Sequence, residues 1–376
     1  MSFKRAYVAA NLTLDAAPSG ASRRLLALLR ELPALLQPGE SVALLMNEDA
    51  PVPDLPADVR VHRVAIPARP TWRRALAERR RLGATLDELG ADLVDLGTLP
   101  VPRGLRCPVV LTIHDVRDLD PAVRRRPPWF VKTMLRASLR RAHALIVPSA
   151  FTERELRKVT GGFLPPLRVV PGGVEPRFLA VEPTATVGRP YFLCVGHLEA
   201  RKNLLMLLSA YAAFLDIAGE PYDRLPRLVF AGRDAGMRAE LAERAAWLEL
   251  VGHVDFAGVV DDAALPGLYA GACALLMPSL HEGFGLPALE ALAVGIPVAV
   301  ARASALPDVV GEQGLVLPAT DSGAWAEALL WFTQLESTRE AIAARKAHAA
   351  RSSWANAAMA VLEVWRGACE PGSIVA

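Results

Sequence analysis

Two carboxylates and a glycine-rich loop occur together in residues 281–291, HEGFGLPALEA. The segment follows residues 274–277, an apolar run ALLM that is typical of a buried strand. Glu282 precedes an apolar helical run, and Glu290 lies eight positions later, one to two turns inside it. Ionised carboxylates accept hydrogen bonds from diols such as those of a ribose or a hexose. Alternatively, Glu282 only caps the helix, a common role for an acidic residue at a helix start.

The loop between the two glutamates predicts a ligand site for a separate reason. Gly283 and Gly285 allow a ligand to approach the backbone closely, and Pro287 suits the first turn of a helix. Backbone N–H groups at such a strand-to-helix loop point towards a bound ligand. In open parallel sheets, ligands bind beyond the carboxyl ends of the strands. We count Phe284 and Leu286, from the same segment, among the binding residues.

Two adjacent cations, Arg201 and Lys202, follow another strand-like run at residues 191–195 and a glycine, Gly196. Cations at a helix start attract a diphosphate, because the helix dipole and both side chains favour anions there. Taken alone, the pair is better explained as two solvated surface cations. Beside the loop of residues 281–291, it predicts a diphosphate site.

A histidine, His114, ends the strand-like run of residues 111–113 and is followed by Asp115. A single strand-end histidine is usually structural, although the carboxyl end of a parallel strand is also where substrates bind. Asp115 either orients the imidazole or caps a turn.

These motifs resemble those of the retaining GT-B glycosyltransferases of family 4 (glycosyltransferases group 1), which include bacterial mannosyl- and rhamnosyltransferases. Residues 282–291 are similar to the E-x7-E signature of that family, and residues 192–204, FLCVGHLEARKNL, to its strand, loop and basic pair. Shorter matching fragments are LTIHD at 111–115, VFAGR at 229–233, VGHVDFAG at 251–258 and the tail at 353–365. The resemblance covers nearly all of residues 105–366.

The resemblance implies a role for each matching residue. Arg201 and Lys202 would neutralise the donor diphosphate and the leaving nucleotide, while Glu282 would hold donor-sugar hydroxyls. Glu290 would hold the ribose, and His114 would lie near the reacting centre. The implied catalytic residues are His114, Arg201, Lys202 and Glu282. The implied donor-binding residues are Gly20, Gly196, Arg201, Lys202, Val254, Glu282, Gly283, Phe284, Gly285, Leu286 and Glu290.

The chain departs from the family pattern at two places. His197 occupies a position where many relatives have a phosphate-binding arginine, and Gly20 stands alone where relatives often have two glycines. The sequence Asp118-Leu119-Asp120 spells DxD, a metal-binding motif of a different glycosyltransferase fold, and we interpret it as chance. We therefore expect no metal and no cofactor, with a nucleotide sugar as co-substrate and charge on the leaving group stabilised by Arg201 and Lys202.

The fold expected for the chain is α/β, because strand-like and helix-like runs alternate along its 376 residues. The first series of strand-like runs comprises residues 7–10, 41–46, 59–64, 93–96, 109–113, 144–147 and 167–170. The second comprises residues 191–195, 227–231, 254–256, 274–277, 297–301 and 314–317. Two series predict two doubly wound Rossmann-like domains, which in the GT-B architecture face a central cleft.

We predict an N-terminal acceptor-binding domain of residues 1–185 and a nucleotide-sugar-binding domain of residues 186–350. The boundary is placed in residues 181–190, VEPTATVGRP, which lack any periodicity. A final helix within residues 351–376 is expected to cross back to the first domain.

Charge is distributed unevenly between the two predicted domains. Residues 1–185 carry 28 Lys and Arg against 19 Asp and Glu, whereas the remainder carries 14 against 21. A basic first domain suits an anionic partner such as an acidic lipid surface. Cations and aromatics occur together in residues 124–141, which supports peripheral membrane contact or, alternatively, is only a solvated helix face. No binding motif or aromatic stacking platform accompanies the charge, so we expect no nucleic-acid partner.

The composition and the length of the apolar runs limit where in the cell the protein is expected. Hydrophobic residues make up 52% of the chain, but no apolar run approaches the roughly 20 residues of a membrane span. The N-terminus lacks a secretory signal, and four scattered cysteines suggest reduced, buried thiols. We expect a cytoplasmic protein, at the inner face of the membrane if the basic surface binds lipid.

The function expected is transfer of a hexose from a nucleotide sugar to a glycan or lipid-linked acceptor in cell-envelope polysaccharide synthesis. Residues 200–203, ARKN, resemble the corresponding residues of bacterial mannosyl- and rhamnosyltransferases. This resemblance favours a GDP-linked donor such as GDP-mannose or a GDP-rhamnose-like sugar, and a UDP-sugar is the alternative. The same motifs would also fit a sugar phosphorylase or epimerase on this fold, or a non-catalytic binding relative.

Overall fold

The chain was analysed as a computed structural model that describes residues 5–14, 19–67, 70–120, 128–184 and 188–370. It divides into two units. Unit 1 is Met1–Gly173 with Ser353–Ala376, and unit 2 is Val174–Ser352.

Unit 1 is a seven-stranded parallel sheet with helices packed against it. Its strands are β1 (Arg5–Asn11), β2 (Glu40–Asn47), β3 (Val59–Val64), β4 (Leu93–Leu96), β5 (Val109–Thr112), β6 (Ala144–Val147) and β7 (Leu167–Val169), in the order β3-β2-β1-β4-β5-β6-β7. Its helices are α1 (Gly20–Glu31), α2 (Thr71–Glu88), α3 (Pro128–Leu139), α4 (Ala150–Thr160) and α13 (Trp354–Ala368). The strand order reverses direction between β1 and β4, which is the switch point where ligands bind in such sheets.

The start of α1 is fixed by its own sequence. Ser19 caps the helix by accepting a hydrogen bond from the backbone N–H of Ser22. One face of α1 then packs inward, with Leu26, Leu28 and Leu29 each less than one-tenth exposed. This face carries residues of α1 towards the carboxyl ends of the central strands.

The terminal helix α13 is held in unit 1 by polar contacts as well as by packing. Trp365 donates its indole N–H to Asp95 at 2.9 Å, and its ring lies 5.5 Å from that of Tyr7. Arg366 makes paired hydrogen bonds of 2.9 and 2.6 Å to Glu40. These bonds join α13, near the end of the chain, to Asp95 in β4 and Glu40 in β2. The helix therefore packs on a sheet whose strands all come from residues 5–169.

Unit 2 is a six-stranded parallel sheet. Its strands are β8 (Tyr191–Val195), β9 (Arg227–Ala231), β10 (Val254–Gly258), β11 (Ala274–Met277), β12 (Val298–Ala301) and β13 (Leu315–Leu317), in the order β10-β9-β8-β11-β12-β13. Its helices are α5 (Pro176–Leu179), α6 (Leu204–Ala218), α7 (Arg238–Trp247), α8 (Leu265–Ala270), α9 (Leu286–Val294), α10 (Leu306–Val310), α11 (Ser322–Gln334) and α12 (Arg339–Ala350). The order reverses between β8 and β11, so the loops after these two strands meet at the switch point.

The prediction of two doubly wound parallel sheets is confirmed, and each expected strand is present within a few residues. Two details differ. The division between the units lies at Gly173 and Val174, upstream of the predicted boundary at residues 185–186, because Val174 and Phe178 are buried in the core of unit 2. The final helix expected within residues 351–376 begins only at Trp354, because a turn at residues 351–353 separates α12 from α13.

None of the helices among the described residues combines the length and apolar character needed to cross a bilayer.

Candidate functional site

Arg201 and Lys202 meet Glu282 at the switch point of unit 2. The two cations lie in a 3-10 turn, Ala200–Lys202, which follows β8, and Glu282 lies in the loop between β11 and α9. Lys202 Nζ is 2.6 Å from one carboxylate oxygen of Glu282, and Arg201 Nη1 is 2.7 Å from the other. The structure therefore brings together the two motifs that the sequence separates by 80 residues.

A second carboxylate completes this cluster. Glu199 is 8% exposed and lies 2.7 Å from Arg201 Nη2. Two cations are thus matched by two carboxylates, so the buried charges compensate one another. Glu199 was not predicted as a site residue, although its position two residues before Arg201 is visible in the sequence.

The environment keeps Glu282 ionised. Burial by itself would raise the pKa of the Glu282 carboxyl, but the charges of Arg201 and Lys202 outweigh burial and hold the pKa below its ordinary value. Burial also lowers the pKa of Lys202, and the neighbouring Glu282 offsets part of that effect. Ionised Glu282 can accept hydrogen bonds but cannot donate one.

Two glycines make room for Lys202. Gly196 has a φ of +137°, and a Cβ there would lie 2.8 Å from Lys202 Nζ. Gly232, at the end of β9, approaches the same backbone, since a Cβ on it would lie 2.0 Å from the carbonyl oxygen of Gly196. The loop after β8 therefore packs closely enough on its neighbours that only glycine fits at these two positions.

Asn203 ties the basic turn to the rest of the sheet edge. It adopts a left-handed conformation with φ of +56°, which asparagine tolerates better than most residues. Its side-chain amide donates to the carbonyl oxygens of Pro278, at 3.2 Å, and Ala319, at 2.7 Å. Arg201 adds a hydrogen bond of 2.8 Å to the carbonyl of His281. These bonds fix the position of the two cations relative to the loop that carries Glu282.

The backbone of Glu282 is held from the opposite side. Its N–H donates to the hydroxyl of Ser304 at 3.0 Å, and Ser304 has a φ of +57°. Strained backbone at a loop beside charged residues is a recurrent property of binding sites. Ser304 lies after β12 and was not predicted, because nothing in its local sequence indicates this contact.

The remaining residues of the predicted loop lie in the same place. Gly283 and Phe284 follow Glu282, and Gly285 occupies the position before α9 with a φ of +117°. Leu286 and Pro287 then begin the helix. The loop thus brings the amino end of a nine-residue helix to the switch point.

Glu290 lies deeper, within α9. It is 9% exposed, and one of its carboxylate oxygens accepts a 2.7 Å hydrogen bond from the hydroxyl of Tyr269, on α8. Tyr269 was not anticipated from the sequence, where a tyrosine in a short apolar helix carries no functional signal. The arrangement orients Glu290, whether its role is structural or ligand-binding.

Val254, another of the predicted donor-binding residues, lies away from this edge of the sheet. It is the first residue of β10 and pairs with Leu228 near the start of β9. Because ligands bind beyond the carboxyl ends, the position that belongs to the site is the far end of β10. There Gly258 accepts a backbone hydrogen bond from Gly232 at 2.7 Å.

Gly20 and His114 belong to unit 1, whereas the cluster of Arg201, Lys202 and Glu282 belongs to unit 2. Gly20 is the exposed first residue of α1, and a Cβ on it would contact nothing within 4 Å. His114 follows β5 and packs against Gly97. A Cβ added to that glycine would lie 3.3 Å from the Nε2 atom of His114. Burial, with a smaller contribution from Arg24, lowers the pKa of His114 to about 4. The imidazole is therefore neutral near pH 7 and able to accept a proton or a hydrogen bond.

His197 and the DxD sequence complete the account of the predicted features. Burial and nearby cations, Arg233 first among them, lower the pKa of His197, so it is a weak substitute for an arginine. Asp118 is within a short 3-10 turn, Arg117–Leu119. Within the described ranges, no group of three or more His, Cys, Asp or Glu is placed to hold a metal ion.

Comparison with known protein families assigns both units. Residues 18–178 match the model described as Glycosyltransferase Family 4, and residues 180–348 match the model described as Glycosyl transferases group 1. Both units are glycosyltransferase domains. The cluster of Arg201, Lys202 and Glu282 lies in the group 1 domain, and His114 lies in the family 4 domain.

Curated relatives of these glycosyltransferase domains include two mannosyltransferases. O-antigen chain mannosyltransferase B from Escherichia coli is 36% identical over 179 residues, which are 47% of this chain and 45% of the relative. GDP-mannose-dependent alpha-(1-6)-phosphatidylinositol dimannoside mannosyltransferase from Mycobacterium tuberculosis is 38% identical over 133 residues, covering 35% of this chain and 30% of the relative. The matches span about half or less of the length of these relatives.

Solved structures show the fold of the two domains. Sucrose-phosphate synthase from Thermosynechococcus elongatus has a TM-score of 0.80 at 21% identity, with 96% of this chain and 98% of that chain covered. Anabaena HepE in complex with UDP has a TM-score of 0.67 at 17% identity, with 96% and 100% covered. At these identities the likeness concerns the fold, which is GT-B.

Proposed function

We propose that the chain is a retaining glycosyltransferase that moves a hexose from a nucleotide sugar to a glycan or lipid-linked acceptor. The observation that carries the proposal is the placement of Arg201 and Lys202 against Glu282 at the switch point of the group 1 domain. Such a site needs cations for a diphosphate and an acceptor of hydrogen bonds for sugar hydroxyls. Both are present within 3 Å of each other.

The donor diphosphate would take over contacts that Glu282 now makes. The four charges of Glu199, Arg201, Lys202 and Glu282 balance, so a diphosphate with its own negative charge must compete with a carboxylate for the cations. We infer that Glu282 releases Lys202 when the donor binds and turns its carboxylate to the donor sugar. Arg201 and Lys202 then stabilise the charge that develops on the leaving nucleotide, which requires no metal ion.

Retention follows from the proposed course of the reaction. The leaving nucleotide departs and the acceptor attacks on the same face of the sugar, so the anomeric configuration is kept. In the group 1 domain, Glu290 is oriented by Tyr269 and is proposed to hold the ribose. In the family 4 domain, neutral His114 is proposed to lie beside the donor sugar.

A GDP-hexose is the favoured donor. The two mannosyltransferase relatives support it, since one of them is described as GDP-mannose-dependent. A UDP-sugar is the second candidate, because a solved structure of the same fold contains UDP. Synthesis of a cell-envelope polysaccharide is the proposed context, by similarity to the O-antigen chain mannosyltransferase.

Thermal unfolding with nucleotides tests the donor site. The protein is melted with GDP, UDP, ADP or NAD in excess, because a ligand at about 100 times its dissociation constant adds roughly 2.7 kcal/mol. We expect GDP to raise the melting temperature most. Selective stabilisation by UDP would indicate a UDP-sugar donor instead of a GDP-sugar. No response to any nucleotide would contradict the donor site.

Product analysis then tests transfer. With the stabilising nucleotide linked to a hexose, we expect sugar to appear on the acceptor and the nucleoside diphosphate to be released. Conversion of the donor without an acceptor would show an epimerase instead. Proton NMR of the initial product reports the anomeric configuration, and inversion would contradict the retaining course.

Contact with an acidic membrane surface is proposed for the family 4 domain. Trp129 and Phe130, at the start of α3, are 70% and 44% exposed, and Lys132 follows them. The basic residues 124–126 lie outside the described residues. Aromatics beside cations suit the interface of an anionic bilayer. Sedimentation with vesicles containing about 30% anionic lipid, against neutral vesicles, tests this, and equal binding of wild type and a Trp129→Ser, Phe130→Ser variant would contradict it.

A further inference from the structure

Unit 1 has a pocket at its own switch point, apart from the cluster in the group 1 domain. The pocket is partly open and lies between α1, α13 and the carboxyl ends of β1, β4 and β5. Asn11, Arg24, Asp95, Thr98, His114 and Trp365 are among its lining residues.

Arg24 is the charged residue of α1 that faces this pocket. It is 4% exposed, and its Nη1 atom donates to the carbonyl oxygen of Pro171 at 3.1 Å. Its Nε and Nη2 atoms are buried and make no hydrogen bond in the structure. These two atoms form one edge of the planar guanidinium, the edge that binds the two oxygens of a carboxylate or a phosphate side by side.

The acidic side chain that lines the same pocket does not satisfy that edge. Asp95 accepts hydrogen bonds from Thr112, at 2.9 Å, and from Trp365, also at 2.9 Å, one on each oxygen. In the part of the chain that the structure describes, Arg24 forms no ion pair with a carboxylate. Burial lowers the pKa of Arg24 to about 10, so the side chain is still a cation near pH 7.

A buried cation with two free donors is costly to a protein in the absence of a ligand. Each unsatisfied buried donor costs about 1–3 kcal/mol, and more when the group is charged. A purely structural arginine would have its donors satisfied by neighbouring carbonyls or carboxylates. Here Nη1 is anchored to Pro171, Nε and Nη2 make no hydrogen bond, and the residue lines the pocket.

We propose that this pocket binds an oxyanion, a phosphate monoester or a carboxylate, through the Nε and Nη2 edge of Arg24. Resting on the proposed function, the oxyanion belongs to the acceptor, which would therefore be an acidic sugar or a phosphorylated one. Neutral His114 lines the same pocket, and it suits a hydroxyl of that acceptor better than a second charge.

The test uses inorganic phosphate and acetate as probes at constant ionic strength, balanced with chloride. Melting temperatures are measured for wild type, Arg24→Gln and Arg30→Gln. Arg30 is an exposed arginine of the same helix, so its variant makes the same change of charge away from the pocket. When a probe exceeds its dissociation constant about tenfold, we expect wild type and Arg30→Gln to gain about 3–6 °C more than Arg24→Gln. Any response that Arg24→Gln keeps reports anion binding elsewhere, such as at the proposed diphosphate site of Arg201 and Lys202.

The relative response to the two probes identifies the source of the oxyanion. A larger Arg24-dependent response to phosphate indicates a phosphate ester, and a larger response to acetate indicates a carboxylate. Equal responses of Arg24→Gln and wild type, or no response of wild type, would overturn the proposal. If Arg24→Gln does not fold, Arg24→Lys replaces it, and we expect at least a tenfold higher half-maximal probe concentration because lysine lacks the paired edge.

The response to nucleotides distinguishes a failure of the proposed oxyanion site from a failure of the proposed donor site. Stabilisation of Arg24→Gln by a nucleotide as strong as that of wild type, with no Arg24-dependent probe response, would remove only the oxyanion site. A probe response that depends on Arg24, with no response to any nucleotide, would remove only the proposed donor site.

Discussion

Lys202 Nζ lies 2.6 Å from Glu282 Oε1, and each side chain is about one-tenth exposed or less. Arg201 contacts the other oxygen of the same carboxylate. One glutamate therefore neutralises part of the charge of two cations that, in the proposed function, bind a diphosphate. Stability of the ligand-free protein and affinity for the donor are consequently linked through Glu282.

Substitution of Glu282 by glutamine tests that link. Glutamine keeps the shape but removes the charge, so we expect a loss of about 1–3 kcal/mol in the free energy of unfolding, measured with urea. The stabilisation by nucleoside diphosphate should grow, because the cations lose a competing carboxylate. Glu312→Gln, at an exposed position of unit 2, is the matched control and should change stability by about 0.5 kcal/mol or less. An unchanged stability of Glu282→Gln would contradict the pairing.

Alanine at Gly196 tests the space beneath Lys202. A Cβ would lie 2.8 Å from Lys202 Nζ, and the φ of +137° is unfavourable for alanine. We expect a loss of about 2–4 kcal/mol together with loss of the nucleotide response in thermal unfolding. Gly252→Ala is the control, since Gly252 has a φ of +83° but open space around it. The control should lose stability through backbone strain alone, and a normal nucleotide response of Gly196→Ala would show that Lys202 is not displaced.

Phenylalanine at Tyr269 tests the orientation of Glu290. The substitution removes the 2.7 Å hydrogen bond to the Glu290 carboxylate and leaves a buried acceptor without that partner. We expect a loss of about 1–3 kcal/mol in stability and a nucleotide dissociation constant raised about three- to tenfold, measured by calorimetry. Tyr211→Phe is the matched control, because Tyr211 donates to the carbonyl of Pro226 within the core. Equal nucleotide affinity in both variants would assign Glu290 a structural role.

Stability below pH 7 tests the state of His114. Its pKa is lowered from 6.5 to about 4 by burial and by Arg24, so the unfolded chain binds a proton in this window before the folded one does. Stability must therefore fall as the pH drops from 6.5 to 4, and His114→Gln should lose about 1–3 kcal/mol less over that range. Urea unfolding at pH 7, 5.5 and 4.5 measures the difference.

A second group in the same pocket acts in the opposite direction. Burial raises the pKa of Asp95 to about 6, so its contribution to stability is greatest below 3.8 and decreases as the pH rises towards 6. Both proteins in the His114→Gln comparison contain Asp95, so their difference reports His114. Parallel stability curves for the two proteins would contradict the lowered pKa of His114.

The order of strands and helices, and the loop of residues 281–291, could be predicted because their signals are local. Strand-like runs of three to six residues identify strands, and a glycine pair followed by Leu286 and Pro287 identifies a helix start. The meeting of Arg201 with Glu282 was also predictable, since loops after neighbouring parallel strands share one edge of the sheet.

The partners of the site residues were not predictable in the same way. Ser304 and Tyr269 contact Glu282 and Glu290 through the packing of distant segments, and no periodicity or motif marks them. The position of Val254 within its strand was unpredictable for a different reason. A matched fragment gives the strand but not which end of it faces the ligand, and Val254 begins β10 whereas Gly258 ends it.

The contribution of α13 to unit 1 sets the order in which a growing chain can complete its structure. Unit 2 is continuous in sequence, so all of its residues leave the ribosome before Trp354 does. Until α13 follows, Glu40 lacks Arg366 and Asp95 lacks Trp365, and one wall of the Arg24 pocket is missing. The half that is translated first is therefore completed last.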